Sequence, residues 1–234
     1  MASRGVKITL GIVGGVLALV VLAVLGLVGW ALFRPLLPGD YSHTRGDIRT
    51  ASELNDIALE AMVVTVGTPI SGEAKDQLDN RIANTSGQID VVLESVDEAV
   101  GSRAGEKDET LQAQLNELRS AYADLQDSLN QWQSQGYADI GWALKLCRTP
   151  PSDVDDPDQA CTEAAASLPD AGAAPELAAL AEAVTDYADS ARGVDDTQAL
   201  DAAQEEFAGT VGAMWDRVST SLEQVDGYLA EKES

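Results

Sequence analysis

Both cysteines of this 234-residue chain lie in one stretch, CRTPPSDVDDPDQAC, from Cys147 to Cys161. Three prolines and four aspartates fall between them, with Arg148 as the one base. Three chemistries draw on such residues. A calcium loop needs oxygen ligands at fixed steps. An EF-hand pattern begun at Asp153 continues at Asp155 but meets Pro157 at the third ligand position, lacks the central glycine, and has Ala164 where the closing glutamate belongs. A redox-active pair usually reads Cys-x-x-Cys or sits beside positive charge, whereas here 13 residues separate the sulfurs and the aspartates disfavour a thiolate. The structural reading fits better: Cys147 ends one helix, Cys161 begins another, and a disulfide closes the irregular segment between them. Closing a loop of about 15 residues is worth ~3 kcal/mol in the chain-entropy picture. It also places the domain in an oxidising compartment.

Other reactive constellations are scarce. The sole histidine, His43, precludes a His-rich metal site, and no Gly-rich phosphate loop, Gly-x-Ser-x-Gly elbow or His-Glu-x-x-His helix occurs. The expectation is a non-enzymatic protein with no catalytic, cofactor-binding or metal residues and no cofactor. Lys145 together with acids in a deep cleft would point the other way. Arg45-Gly46-Asp47 matches an adhesive tripeptide, and Asn84-Thr85-Ser86 matches a glycosylation sequon. Both read as accidental, the first because it falls close to the expected membrane and the second because Thr85 belongs to an apolar helix stripe. Trp132, Tyr137 and Trp142 are candidate aromatics for a ligand or partner, and aromatic packing at a bundle end explains them equally.

The elements that position these residues begin with a membrane span. Ile8 to Phe33 holds no charge in 26 positions, and as a helix it extends roughly 39 Å, against a hydrocarbon core of about 30 Å. A cleaved signal peptide has a shorter apolar region ending in small residues, whereas Gly29-Trp30-Ala31 runs on into Leu32 and Phe33. Gly11, Gly15, Ala18, Gly26 and Gly29 fall near one face, and small residues there let a second membrane helix approach closely. Every acid follows position 39, so residues 35–234 carry 12 bases against 39 acids, a net of −27. Such a domain is repelled by nucleic acid and by anionic headgroups alike. Flanking charge alone is nearly balanced; the cysteine pair decides the orientation. Residues 1–7 are read as cytoplasmic, 8–33 as the transmembrane helix, 34–50 as a juxtamembrane linker started by Pro35, Pro38 and Gly39, and 51–234 as the extracytoplasmic domain. Trp30 and Tyr41 suit the outer interface.

The domain reads as all-α, an antiparallel helical bundle of about four long helices plus short ones with one disulfide. A short helix is expected over 51–66, with Leu54, Ile57, Ala61 and Met62 inward. The next, 71–100, carries Leu78, Ile82, Thr85, Ile89, Val92, Val96 and Ala99 at steps of four and three. A turn at 101–105 precedes a helix over 108–135 with Leu111, Leu115, Leu118, Tyr122, Leu125, Leu129 and Trp132 at the same steps. A shorter helix over 137–147, a turn or two at 160–167 and a Pro175-initiated helix to 192 follow, the last with Leu177, Leu180, Val184, Tyr187 and Ala191 on one face. The final helix, 197–231, has Leu200, Ala203, Phe207, Val211, Met214, Val218, Leu222, Val225 and Leu229 inward. That set steps in an eleven-residue rhythm, which asks for the opposite supercoil from the heptad helices and so favours a compact bundle over one long rope. The same stripes also suit a homo-oligomer.

The resulting functional expectation is a single-pass, membrane-anchored extracytoplasmic accessory protein that binds or stabilises another envelope component, through the glycine face of its span and its outer bundle. The alternative is a binding module holding a small apolar ligand or lipid between its helices.

Overall fold

The computed structural model describes residues 34–67, 75–169, 172, 174–190 and 194–234. The expected span over 8–33, with Gly11, Gly15, Ala18, Gly26 and Gly29, lies outside the described residues. Among those described, no helix is long and apolar enough to cross a membrane. The chain divides into two units, Met1–Leu37 and Pro38–Ser234.

The second unit contains the eight described helices: α1 Pro38–Gly67, α2 Lys75–Gly101, α3 Arg103–Lys107, α4 Glu109–Ser134, α5 Tyr137–Arg148, α6 Pro157–Ala166, α7 Pro175–Asp189 and α8 Val194–Glu233. No strand occurs among the described residues. α1 packs on α2, α2 on α4, α4 on α8, and α8 back on α1, which closes a four-helix ring. α5, α6 and α7 form a cap inserted between α4 and α8. Side-chain pairs fix the antiparallel register. Along α2 the residues Ser86, Asp90 and Asp97 meet Asn130, Gln126 and Arg119 of α4, one helix ascending as the other descends. Along α8, Phe207, Arg217 and Tyr228 meet Trp132, Asp124 and Asp108 in the same sense.

The stripes of α2 and α4 are as the spacing predicts: all fourteen expected inward residues are buried, the least so 3 % exposed. α1 departs from expectation. Residues 38–50, expected as linker, are helical, and Pro38 opens the helix instead of ending one, as proline at a first turn allows. The stripe runs Tyr41, Thr44, Ile48, Ala51, Asn55, all buried, while Leu54 is half-buried. Two of those five positions are polar, so the apolar period is broken in the sequence but not in the fold. Tyr41, expected at a membrane interface, belongs to this core. The expected turn at 101–105 contains the start of α3, whose N-terminus is capped by Ser102 Oγ accepting from Gly105 N–H. Gly105 is obligatory there, because a Cβ would stand 2.3 Å from the Ala99 carbonyl oxygen. Gly136, between α4 and α5, has φ +81°, with Pro169 against it.

α8 brings a second correction. Trp215 is 2 % exposed and Met214 only half-buried. From Val211 onward the inward set is therefore Val211, Trp215, Val218, Leu222, Val225 and Leu229, steps of four and three like those of α2 and α4. The eleven-residue rhythm disappears in this half, and with it the supercoil conflict that favoured a compact bundle. The bundle is present, closed by its packing instead. The indole N–H of Trp215 has no hydrogen-bond partner among the described residues, so apolar area outweighs a lost bond at that position. In α7, Leu177, Leu180 and Val184 are buried with Ala188, while Tyr187 is half-buried.

A polar bond crosses the middle of the ring. Tyr122 Oη, on fully buried Tyr122, donates to Asn55 Oδ1 at 3.0 Å, joining α4 to α1 on the diagonal. Tyr122→Phe strands the Asn55 carbonyl and is expected to cost about 1–3 kcal/mol in urea denaturation. Adding Asn55→Leu to that variant should recover part of the loss.

Candidate functional site

Three places gather the polar, aromatic and sulfur side chains: the disulfide cap, the aromatic cluster and a polar clasp at the ring's other end. In the cap, Cys147 and Cys161 are joined, with S–S 2.08 Å and Cα atoms 4.7 Å apart. One of the aspartates between them has local work. Asp156 accepts from Gln159 N–H at 3.0 Å and so caps α6, with Pro157 in its first turn. That Asp-Pro start lengthens the expected turn or two at 160–167 into a ten-residue helix. Among the described residues no group of three or more His, Cys, Asp or Glu side chains is placed to hold a metal ion. Cys161 is fully buried in an apolar cluster with Ala143, Ala165, Val184, Ala188 and Leu200.

The three candidate aromatics do not form one site. Trp132 and Tyr137 both pack on Phe207, at centroid distances of 5.1 Å and 6.1 Å. Trp132 is fully buried and its Nε1 donates to Glu176 Oε1 at 2.6 Å, which ties α4 to the first turn of α7. Burial pushes the Tyr137 phenol well above its ordinary range, with Arg81 acting weakly against the shift. Trp142 lies about 140° around α5 from Tyr137. It is half-buried, and the Lys145 ammonium sits over its ring at 5.6 Å from the centroid. A recess of about 340 Å³ does open between α7 and α8, lined by Ala183, Tyr187, Glu182 and Asp186 among others, and by none of those aromatics.

The clasp has no counterpart among the sequence expectations. Asp108 is the N-cap of α4, its Oδ1 accepting from Thr110 and Leu111 N–H at 3.1 Å each. The same carboxylate accepts from Tyr41 Oη of α1 at 2.9 Å and from Tyr228 Oη of α8 at 2.9 and 3.0 Å. Burial pushes the Asp108 carboxyl up, but the Leu111 amide, both phenols and nearby Lys232 outweigh it and leave the pKa lowered. Burial and the Asp108 carboxylate push Tyr41 up to about 12. Beside this, Arg45 grips Asp226 through Nε and Nη2, at 2.7 and 3.2 Å, and reaches Glu233 at 2.8 Å. The Arg45 contact holds Asp226 below the ordinary carboxylate range, against a smaller effect of burial. Thr44 and Ser102 share a 2.7 Å hydrogen bond, joining α1 to the α2–α3 corner.

The packing of α1 and α2 also bears on the two short motifs. Arg45 of the Arg-Gly-Asp triplet is engaged within the fold and lies in a helix, not in an extended loop. In the sequon, Asn84 is exposed but Thr85 is 1 % exposed and Ser86 donates to Asn130. Tyr41, Arg45, Asp108 and Tyr228 are individually visible in the sequence. No local spacing links residues 58 to 188 positions apart, and the one usable signal is Asp108 as a helix start.

No family model, curated protein or solved structure matches the chain.

A lowered pKa means the charged Asp108 is favoured in the folded state. Its contribution is complete above the unfolded value, about 4, and fades as pH falls through the lower folded value. The stability advantage of the wild type over Asp108→Asn is therefore expected to be full at pH 6 and to narrow below about pH 4, in paired denaturation curves. Comparing the two proteins removes the background change from the many other carboxylates.

Proposed function

We propose that the chain is a non-enzymatic, membrane-anchored extracytoplasmic accessory protein, and that its bundle contacts and stabilises another component of the envelope through its surface. The observation that carries this is the close packing between the described ring helices. At the cap end of the ring Trp132 and Tyr137 both pack on Phe207, and the recess between α7 and α8 lies away from them. Tyr122, Leu118 and Leu125 occupy the ring below at 1 % exposure or less. Recognition is thereby directed to the outside, where most of the 39 acids lie. The disulfide supports an oxidising location, and the 26 uncharged residues from Ile8 to Phe33 supply the anchor.

On this reading the short basic leader is cytoplasmic and the acidic bundle is outside. The partner is a membrane protein, engaged through the face of Gly11, Gly15, Ala18, Gly26 and Gly29 as well as through the bundle. Full-length protein purified in mild detergent should carry a stoichiometric partner, identified by mass spectrometry. Gly11→Ile combined with Gly15→Ile should lower recovery of that partner by about tenfold or more. Recovery at wild-type levels counts against the membrane contact, and a thermal shift with a lipid extract in the absence of any partner protein favours the ligand-binding alternative.

A further inference from the structure

The cap is held differently from the ring. α6 is ten residues long, and the side chains it buries are those of Cys161 and Ala165. It packs chiefly on α5 and α7, with Leu200 of the ring helix α8 in the same cluster. A helix this short is marginal by itself, and one alanine methyl adds little apolar area. Its fully buried neighbours are Ala143, Val184, Ala188 and Leu200, with Leu144, Leu168 and Tyr187 only partly buried against them, where the ring buries Trp132, Tyr122, Ile82, Ile89 and a column of leucines. The sulfur bridge is thus both the tether of α6 and the largest part of what α6 buries.

The two sulfurs also differ in access. Cys161 is fully buried, and Cys147 is partly exposed at the end of α5. We propose that α6 is a latch released by a dithiol reductant, which converts the cap to an open form while the four-helix ring stays folded. One thiolate of the dithiol attacks Cys147 Sγ. A mixed disulfide forms, the Cys147–Cys161 bond breaks, and its electron pair leaves on Cys161 Sγ. That anion emerges among alanine and valine methyls, where charge is strongly disfavoured, so it takes a proton from water as α6 lifts away. The second thiolate of the reductant then attacks the mixed disulfide at its own sulfur, releasing Cys147 and leaving the reductant oxidised by two electrons. Opening uncovers an apolar face formed by Ala143 of α5, Val184 of α7 and Leu200 of α8. The inference stands independently of the accessory role proposed above.

Hydrogen exchange of the full-length protein in mild detergent, with and without dithiothreitol, tests it. Amides of residues 157–166 should exchange about tenfold faster or more after reduction, while those of 111–132 and 211–229 keep their rates. Cys161→Ala, which cannot form the bond, should show the fast α6 rates without reductant. Unchanged α6 protection once both thiols alkylate under denaturing conditions overturns the proposal, and so does equal loss of protection in the ring.

Discussion

A four-helix ring of this kind has to close, and the closure turns on the Asp108 carboxylate. α8 is 40 residues long and must return from the cap to lie beside α1. Its last turns are met by a group that already caps α4 and already binds Tyr41 of α1. One carboxylate therefore joins three helices that are far apart in sequence. Because two amides and two phenols all favour its ionised form, neutralising it weakens every one of these contacts together. The diagonal bond from Tyr122 to Asn55 repeats the arrangement deeper in the ring, where a slip of one turn in either helix would bury an unpaired amide. Apolar stripes alone tolerate such slips. The polar contacts do not, so they select one register.

That division explains which elements can be read from the residues alone. α2 and α4 are legible residue by residue, because each presents an uninterrupted four-three stripe with one polar exception, Thr85, that still fits the period. α1 is not, since Thr44 and Asn55 occupy stripe positions to serve hydrogen bonds and helix contacts, and Pro38 looks like a stop when it is a start. In α8, Met214 and Trp215 are adjacent and both apolar. Either satisfies a local period, and only the neighbouring helices decide that the indole turns inward. The staple between Cys147 and Cys161 is legible by elimination, since two cysteines permit one internal pairing. The clasp is opaque, because its members are brought together by the path of the whole ring and by no motif.

The arginines show how so acidic a body stays compact. With a net charge of −27 over residues 35–234, self-repulsion opposes folding. Arg45, Arg119, Arg148 and Arg217 each bridge from one helix to acids of another. At the surface a single such pair contributes little. Arg217, however, takes both Asp124 and Glu117 from neighbouring turns of α4, and Arg45 takes two acids of α8. A forked guanidinium that meets two carboxylates reduces repulsion within one helix while attaching it to another, which a lysine's point charge does less well.

Ring and cap thus represent two solutions to holding helices together. The ring uses large side chains at regular steps and fixes their register with a few satisfied polar groups. The cap has short helices, alanine-rich faces and a long irregular connection from Thr149 to Asp156, so the same means give it little. A covalent bond replaces the missing apolar area. On the latch proposal above, the cap's integrity follows the redox state of its surroundings and the ring's does not. A domain divided in this way is suited to a compartment that keeps cysteines oxidised, which is the location proposed for it above.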